Sequence, residues 1–424
     1  MSSSQFIKCF NRTVIALIAI LFLAPVQGVE KIIRKPIVTD YGIEDSQFTN
    51  SINHLLRVPL IGGNKVTELV NGDEFFPEML DAIRNAKISI TFETFIWRSG
   101  KISDLFIEAL TQKAQAGVAV HCVVDGIGRL ELKHKDRNRL KKSGVKFVTF
   151  NAVRWYKPWD WNHRTHRKLL VIDGKVGFIG GMCIADEWTG NGTLRDHWRD
   201  TQFKVEGPVV GQLQGVFTDN WTRTKSSVLH GKNYFMGLPP QGDLLAQYFQ
   251  SGPYDGAENA RMLYLYSIAA ARKSIRIAHA YFVPDNLALD MLLEARKRGV
   301  KIEVIAPGVI DHNIVRRAAR SRWGKLLEAG VEIYEYQPCK YHNKIMIVDD
   351  KWVTCGSINF DDRSFRINDE ANLNVFDEDF ARRQIRLFDA DKAQCNQITL
   401  DEYNRRPCHI KFAEAFCALF KSQL

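Results

Sequence analysis

Two stretches of this chain set the same three residue types at the same spacing: HRTHRKLLVIDGKVGFIGG, from His163 to Gly181, and YHNKIMIVDDKWVTCGSIN, from Tyr341 to Asn359. Each holds a His, a Lys two positions on and an Asp five positions after the Lys: His166, Lys168 and Asp173, then His342, Lys344 and Asp349. A strand has a side-chain period of two, so each His faces the same way as its Lys. An imidazole and an ammonium on one face suit phosphoryl transfer. A phosphodiester is an anion with a poor alkoxide leaving group; it needs a nucleophile, positive charge on its non-bridging oxygens and a proton for the departing oxygen. Two His supply the first and third, because a pKa near 6.5 leaves imidazole and imidazolium both accessible, and two Lys supply the second. The scheme calls for no metal and no cofactor.

One such string beside a strand is commonplace; two in the same setting are specific. The apolar runs Leu169 to Ile172 and Ile345 to Val348 read as buried strands. Asp173-Gly174 and Asp349-Asp350 read as hairpin turns into second strands, Val176 to Ile179 and Trp352 to Thr354. A small-residue pair follows each copy, Gly180-Gly181 and Gly356-Ser357.

With these motifs the chain resembles the phospholipase D superfamily, most of all its bacterial cardiolipin synthase branch, from about residue 60 to the C-terminus. GKVGFIGGMCIADEW (Gly174 to Trp188), WRDTQFKVEGP (Trp198 to Pro208) and SINFDDRSFRINDEANL (Ser357 to Leu373) carry the resemblance to that branch. It implies a covalent phosphohistidine on one His and a proton from the other, with an incoming alcohol or water releasing the product. His166, Lys168, Asp173, His342, Lys344 and Asp349 are the candidate catalytic motif residues; within it the turn positions of the two Asp point to holding strand ends. The resemblance further implies that Asp200 and Glu370 orient the imidazoles of the opposite half, and that Ser357 and Asn359 contact phosphate. The first half departs from this pattern, with Gly181 and Cys183 at the matching places; Cys183 reads as a small buried hydrophobe.

The elements that must position these residues are duplicated too. KISITFETFIW from Lys87, a helix ending at Gly117, VAVHCVVD from Val118, a basic helix and GVKFVTF from Gly144 precede the first motif. KSIRIAHAYFV from Lys273, a helix ending at Gly299, VKIEVIAP from Val300, another basic helix and GVEIYEY from Gly330 precede the second. Alternating strands and helices predict an α/β fold of two pseudo-symmetric lobes, each a mixed sheet flanked by helices. The resemblance places the active site on the seam, so a monomer is sufficient for a complete site. We expect a leader at 1–28, a first lobe at 29–240 and a second at 241–424, with the boundary in the Gly- and Pro-containing stretch near 235–255.

Lys8 and Arg12 precede an apolar run from Val14 to Ala24, too short for an ordinary span of about 20 residues, so a cleaved signal peptide is favoured over an anchor. The expected location is exported, periplasmic or secreted, or membrane-associated through this segment. Of 8 Cys, Cys9 falls within the leader, so the odd remainder leaves at least one thiol unpaired in a monomer. The net charge of +10 suits an anionic partner, and basic runs at Arg129 to Lys142 and Arg316 to Lys325 offer either a solvated face or a lipid contact. Trp155, Tyr156, Trp159 and Trp161 crowd the approach to the first motif, as interface anchors or as packing under a loop. Ile410, Ala413, Cys417, Phe420 and Leu424 recur at helical spacing, favouring a helix docked on the second lobe.

The expected activity is therefore a phosphatidyltransferase making cardiolipin from phosphatidylglycerol, with an anionic phospholipid and a membrane surface as partners and no nucleic acid. A hydrolytic phospholipase D shares the intermediate and differs only in water access. A superfamily nuclease fits the charge but not the lipid-branch stretches, and a non-catalytic module does not fit two intact motifs.

Overall fold

A computed structural model describes residues 33–157, 161–254, 258–309 and 313–419. The segment read as a signal peptide, together with Trp159, Phe420 and Leu424, lies outside the described residues. The described strands form one 16-stranded mixed sheet whose order shows the duplication. From its centre, one half runs Ile61–Val70, Thr201–Glu206, Val176–Gly180, Leu169–Ile172, Ser89–Thr94, Ala119–Asp125 and Lys146–Phe150. The other runs Leu244–Ser251, Glu370–Phe376, Trp352–Gly356, Lys344–Val348, Ser274–His279, Lys301–Val309 and Glu332–Tyr341, with Cys395–Ile398 beyond. The two halves join where Ile61 pairs with Ala246 and Asn64 with Leu244. The chain is thus an α/β protein of two pseudo-symmetric lobes.

Burial on both sheet faces explains the unbroken apolar runs at the motifs. Leu169 and Val171, with Ile345 and Ile347, point into a central core to which both halves contribute. Leu170 and Ile172 point into the outer core of the first half, Met346 and Val348 into that of the second. Each motif strand ends in a tight turn whose two central residues have positive φ, 53° and 62° at Asp173 and Gly174, 50° and 55° at Asp349 and Asp350. That is the primed hairpin geometry, whose twist matches the flanking strands. The expected crossover helices form at Lys101–Gln115 and Asn286–Lys297, and the chain leaves them through Gly117 and Gly299 in the left-handed region.

Three features depart from the sequence reading. The stretch expected to hold the lobe boundary contains Leu244–Ser251, a strand central to the sheet; its flanking Gly and Pro residues disguise it as loop. The helix Ser46–Leu56 comes early in the chain, yet buries Phe48, Ile52 and Leu56 among Tyr264, Tyr266 and Trp352 of the second half. The second basic run is two helices, Asn313–Arg320 and Trp323–Glu328, not one.

The last helix, Cys408–Ala418, does pack on the second half, against Asn313–Arg320. Its buried face, however, centres on Glu414 and Cys417, because Arg406 and Arg320 reach the Glu414 carboxylate; Ile410 is exposed. Among the described residues no helix is long and apolar enough to cross a membrane. The seven described cysteines are all free thiols.

Candidate active site

The two motifs meet at one end of the strands that carry them. Leu169 pairs with Glu93 and Lys344 with His279, so His166 and His342 stand just past the C-terminal ends of Ser89–Thr94 and Ser274–His279. Backbone hydrogen bonds tie each His to the opposite half: His166 N donates to Asp369 O at 2.8 Å, and His342 N to Arg199 O at 2.8 Å. The next residue in each partner segment is the orienting carboxylate. Nδ1 of His166 donates to Glu370 Oε1 and Oε2 at 2.9 and 3.0 Å, and Nδ1 of His342 to Asp200 Oδ2 at 2.8 Å. An ionised carboxylate only accepts, so Nδ1 carries the proton and the lone pair of each imidazole lies on Nε2; that of His166 is turned to chemistry, while that of His342 faces the Lys344 ammonium at 3.2 Å.

The lysines complete the cluster. Lys168 Nζ donates to His166 O at 2.5 Å and lies 5.4 Å from the centroid of the Phe95 ring. Lys344 Nζ donates to His342 O at 2.8 Å and lies 3.2 Å from His342 Nε2. Burial lowers the pKa of Lys168 and pushes Lys344 down to about 8. Burial also pushes His166 and His342 down to about 4; the nearby ammonium groups add to it, and the pull of Glu370 and Asp200 does not offset it. Burial opposes the charge of Asp200 and Glu370 as well, yet the facing imidazole and lysine hold both carboxyls below their ordinary range. The resting site at neutral pH therefore presents two neutral imidazoles, each backed by an anion, beside two cationic lysines.

The halves differ where the sequence differs. Ser357 Oγ, the hydroxyl expected on phosphate, donates to Glu370 Oε2 at 2.5 Å and accepts from Ala371 N at 3.0 Å. Asn359 is buried close by in sequence, and its Oδ1 has no hydrogen-bond partner among the described residues. In the first half a Cβ on Gly181 would sit 2.7 Å from both Asp200 carboxylate oxygens, so a Ser there has no room. The missing donor is replaced by Trp188, whose Nε1 donates to Asp200 Oδ2 at 3.0 Å. Cys183 is buried in the outer core of the first half.

Asp173 and Asp349 lie at the far ends of the motif strands. Asp173 accepts from the backbone N–H groups of Lys87, Ile88 and Ser89, and Asp349 from those of Arg272, Lys273 and Ser274. Each carboxylate thereby anchors the start of the neighbouring antiparallel strand and makes none of its hydrogen bonds within the His–Lys cluster.

Sequence reasoning missed the aromatic walls. Trp188 and Trp198 pack around His342 at 5.3 and 4.9 Å between ring centroids, and Phe95 lies 5.2 Å from His166. It also missed Asp391, which accepts from Arg199 Nε and Tyr341 Oη, both at 2.9 Å, and so braces the residues beside Asp200 and His342. Trp188 and Trp198 end and begin two of the motif stretches, but a Trp in sequence reads first as core. The basic runs are less available than their charge suggests: Arg316 and Arg320 pair with Glu335, while the lysines of His134–Lys142 form a solvated face.

Similarity to known proteins agrees with this geometry. Residues 79–219 and 264–392 match the family model described as cardiolipin synthase, PLD-like domain. The chain is 35% identical over 350 residues to cardiolipin synthase 2 of Bacillus anthracis, covering 82% of this chain and 68% of that protein. It is 34% identical over 351 residues to cardiolipin synthase A of Pseudomonas fluorescens, covering 82% and 72%. The fold is shared with a crystal structure of phosphatidylserine synthase from Haemophilus influenzae, with a TM-score of 0.69 at 15% identity over 89% of this chain and 100% of that one. The matches span both motif copies and most of the chain between and around them, so the protein belongs to the cardiolipin synthase PLD-like domain family.

Proposed function

We propose that this protein is a phosphatidyltransferase that makes cardiolipin from phosphatidylglycerol through a phosphohistidine. The observation that carries the reading is the crossed pairing: His166 is held by Glu370 of the second half and His342 by Asp200 of the first, so neither half alone has a working imidazole. The names of the relatives at 34 and 35% identity supply the substrate class.

Nε2 of His166 attacks phosphorus, the bond from phosphorus to the glycerol oxygen breaks, and His342 protonates that oxygen. The proton is one that His342 takes up when the phosphodiester anion enters beside Lys168 and Lys344, because an adjacent anion favours imidazolium. The glycerol hydroxyl of a second phosphatidylglycerol then gives its proton to His342 and attacks phosphorus; the phosphorus–nitrogen bond breaks and His166 is restored. Both lysines neutralise the non-bridging oxygens, Asn359 contacts them through its amide, and Ser357 acts through Glu370. The segment Val14 to Ala24 directs the chain to or across the membrane, where the substrate lies.

Mass spectrometry of products from the purified protein and phosphatidylglycerol tests the reading. Cardiolipin with glycerol is expected; phosphatidic acid with no cardiolipin would make the enzyme a hydrolase.

A further inference from the structure

We propose that the edge of the sheet carrying the catalytic pairs is also a docking face for an anionic bilayer: an apolar and basic rim, contributed by both halves, that enters the headgroup layer. The inference deepens the reading of the substrate as a membrane phospholipid and rests on it.

Topology puts the rim beside the site. Ser89–Thr94, Ala119–Asp125 and Lys146–Phe150 are parallel, and His166 stands past their C-terminal ends. The loops leaving that edge carry Leu130, 66% exposed, and Trp155 and Tyr156, 86% and 53% exposed. In the second half His342 marks the same edge, and Lys301–Val309, parallel to Ser274–His279, ends there. The helix Asn313–Arg320 starts back from it with Ile314 exposed. The last helix runs antiparallel to that one, since the chain enters it beside the end of Asn313–Arg320, where Tyr403 Oη donates to Arg320 O at 2.8 Å and Glu414 lies 3.9 Å from Arg320. Its C-terminal end therefore returns to the catalytic edge with Leu419 exposed at 73%, and Phe412, seven residues earlier on the same stripe, is exposed at 75%.

Two properties of this rim select a bilayer. Scattered single apolar residues are ordinary on a protein surface, but a Trp and a Tyr side by side, their rings 5.8 Å apart, both largely in water and at the mouth of a site, are not. Amphipathic rings are at their best in the headgroup region, with their apolar body buried and their polar edge wet. The charge agrees: Arg154 and Lys157 bracket the aromatic pair, and Arg317 is exposed beside the last helix. Interleaved cations and apolar anchors fit an anionic lipid surface, to which each contributes separately. Docking on this edge presents a headgroup phosphodiester to His166 while its acyl chains stay in the bilayer.

Co-sedimentation with vesicles of phosphatidylcholine alone, and of phosphatidylcholine mixed with phosphatidylglycerol, tests the face. The full-length protein should favour the mixed vesicles. Trp155→Ser with Tyr156→Ser, and separately Phe412→Ser with Leu419→Ser, should each lower partitioning about tenfold and leave turnover of the soluble diester bis(4-nitrophenyl) phosphate unchanged. Unaltered partitioning by both double variants overturns the proposal, as does light scattering that shows the wild type to be a dimer and the variants monomers, since a second copy would then cover the face. Loss of soluble-diester turnover with an intact circular dichroism spectrum overturns it too, by moving these residues into the site. Should phosphatidylglycerol not be a substrate while the variants lose vesicle binding, the face stands and the proposed reaction falls; conversion of phosphatidylglycerol with rim-insensitive partitioning gives the reverse.

Discussion

The indole Nε1 of Trp188 donates to Asp200 Oδ2 at 3.0 Å, the same oxygen that accepts Nδ1 of His342 at 2.8 Å. In the other half a serine hydroxyl, Ser357 Oγ, plays that part toward Glu370. The quasi-symmetric halves thus fix their carboxylates with different donors, and the difference follows from side-chain reach. Glu370 extends one methylene further than Asp200 and meets a serine on its own sheet; Asp200 fills the space over Gly181 and takes its second donor from across that space.

Replacing Trp188 by Phe keeps the ring against His342 but removes the donor. Losing a hydrogen bond to a charged, buried acceptor costs about 1.5–3 kcal/mol, so kcat should fall by at least tenfold with KM little changed. A purely structural role would lower thermal stability without this kcat and KM split. Steady-state kinetics on a soluble phosphodiester, alongside a melting curve, separates the two.

Gly181 makes a sharper test of the same arrangement. A methyl group here would lie 2.7 Å from both Asp200 oxygens and 3.0 Å from His342 O, so Asp200 must move and release His342. Gly181→Ala should therefore reduce kcat more than Ser357→Ala, which deletes a hydroxyl and adds nothing. Equal effects of the two substitutions would mean that Asp200 tolerates displacement.

Either catalytic histidine is indispensable if the halves work as one unit. His166→Asn and His342→Asn should each lower turnover of phosphatidylglycerol by several orders of magnitude, and the double variant should be hardly worse, since groups acting together are grossly non-additive. Substantial turnover in one single variant would mean that the half-sites act independently.

How much of this was legible beforehand follows from what a local pattern can encode. The motif strands announce themselves because Leu169 to Ile172 and Ile345 to Val348 are buried on both faces, and the turns because Asp173-Gly174 and Asp349-Asp350 must take positive φ. Leu244–Ser251 did not, since its place depends on pairing with Ile61–Val70, far away in sequence, and its polar Gln247 and Gln250 break the apolar run. Ser357 shows a related limit: its type suits phosphate or carboxylate alike, and only the fold brings Glu370 within 2.5 Å. Trp188 and Asp391 act through contacts that no sequence spacing reveals.

Acid should destabilise the fold through the two histidines. Their folded pKa, about 4, lies below the unfolded value near 6.5, so the unfolded chain binds more protons between these limits. The stability they contribute is full above about pH 6.5 and is lost as pH falls toward 4; within the window each adds a slope of about 1.4 kcal/mol per pH unit. Urea unfolding at several pH values should show a shallower slope for His166→Asn and His342→Asn than for wild type. At the alkaline end, Lys344 loses its proton at about 8, so kcat/KM should decline above that pH, and Lys344→Arg should move the decline upward. An alkaline limb unmoved by that substitution would assign it to another group.

The roles of the two histidines remain distinguishable by their leaving-group demands. We expect His166 to carry the phosphatidyl group, with Glu370 and Ser357 fixing its ring, and His342 to donate the proton. A good leaving group does not need an acid, so His342→Asn should slow cleavage most for diesters of basic alkoxides and least for those of acidic phenols. The reverse substitution, His166→Asn, should abolish both equally, because no nucleophile remains. Brief exposure to a phenolic phosphodiester, acid quench under conditions that preserve the phosphoramidate and peptide mapping would locate the adduct. An adduct on His342 that persists in His166→Asn would exchange the roles while leaving the crossed carboxylate pairs, and the chemistry they support, in place.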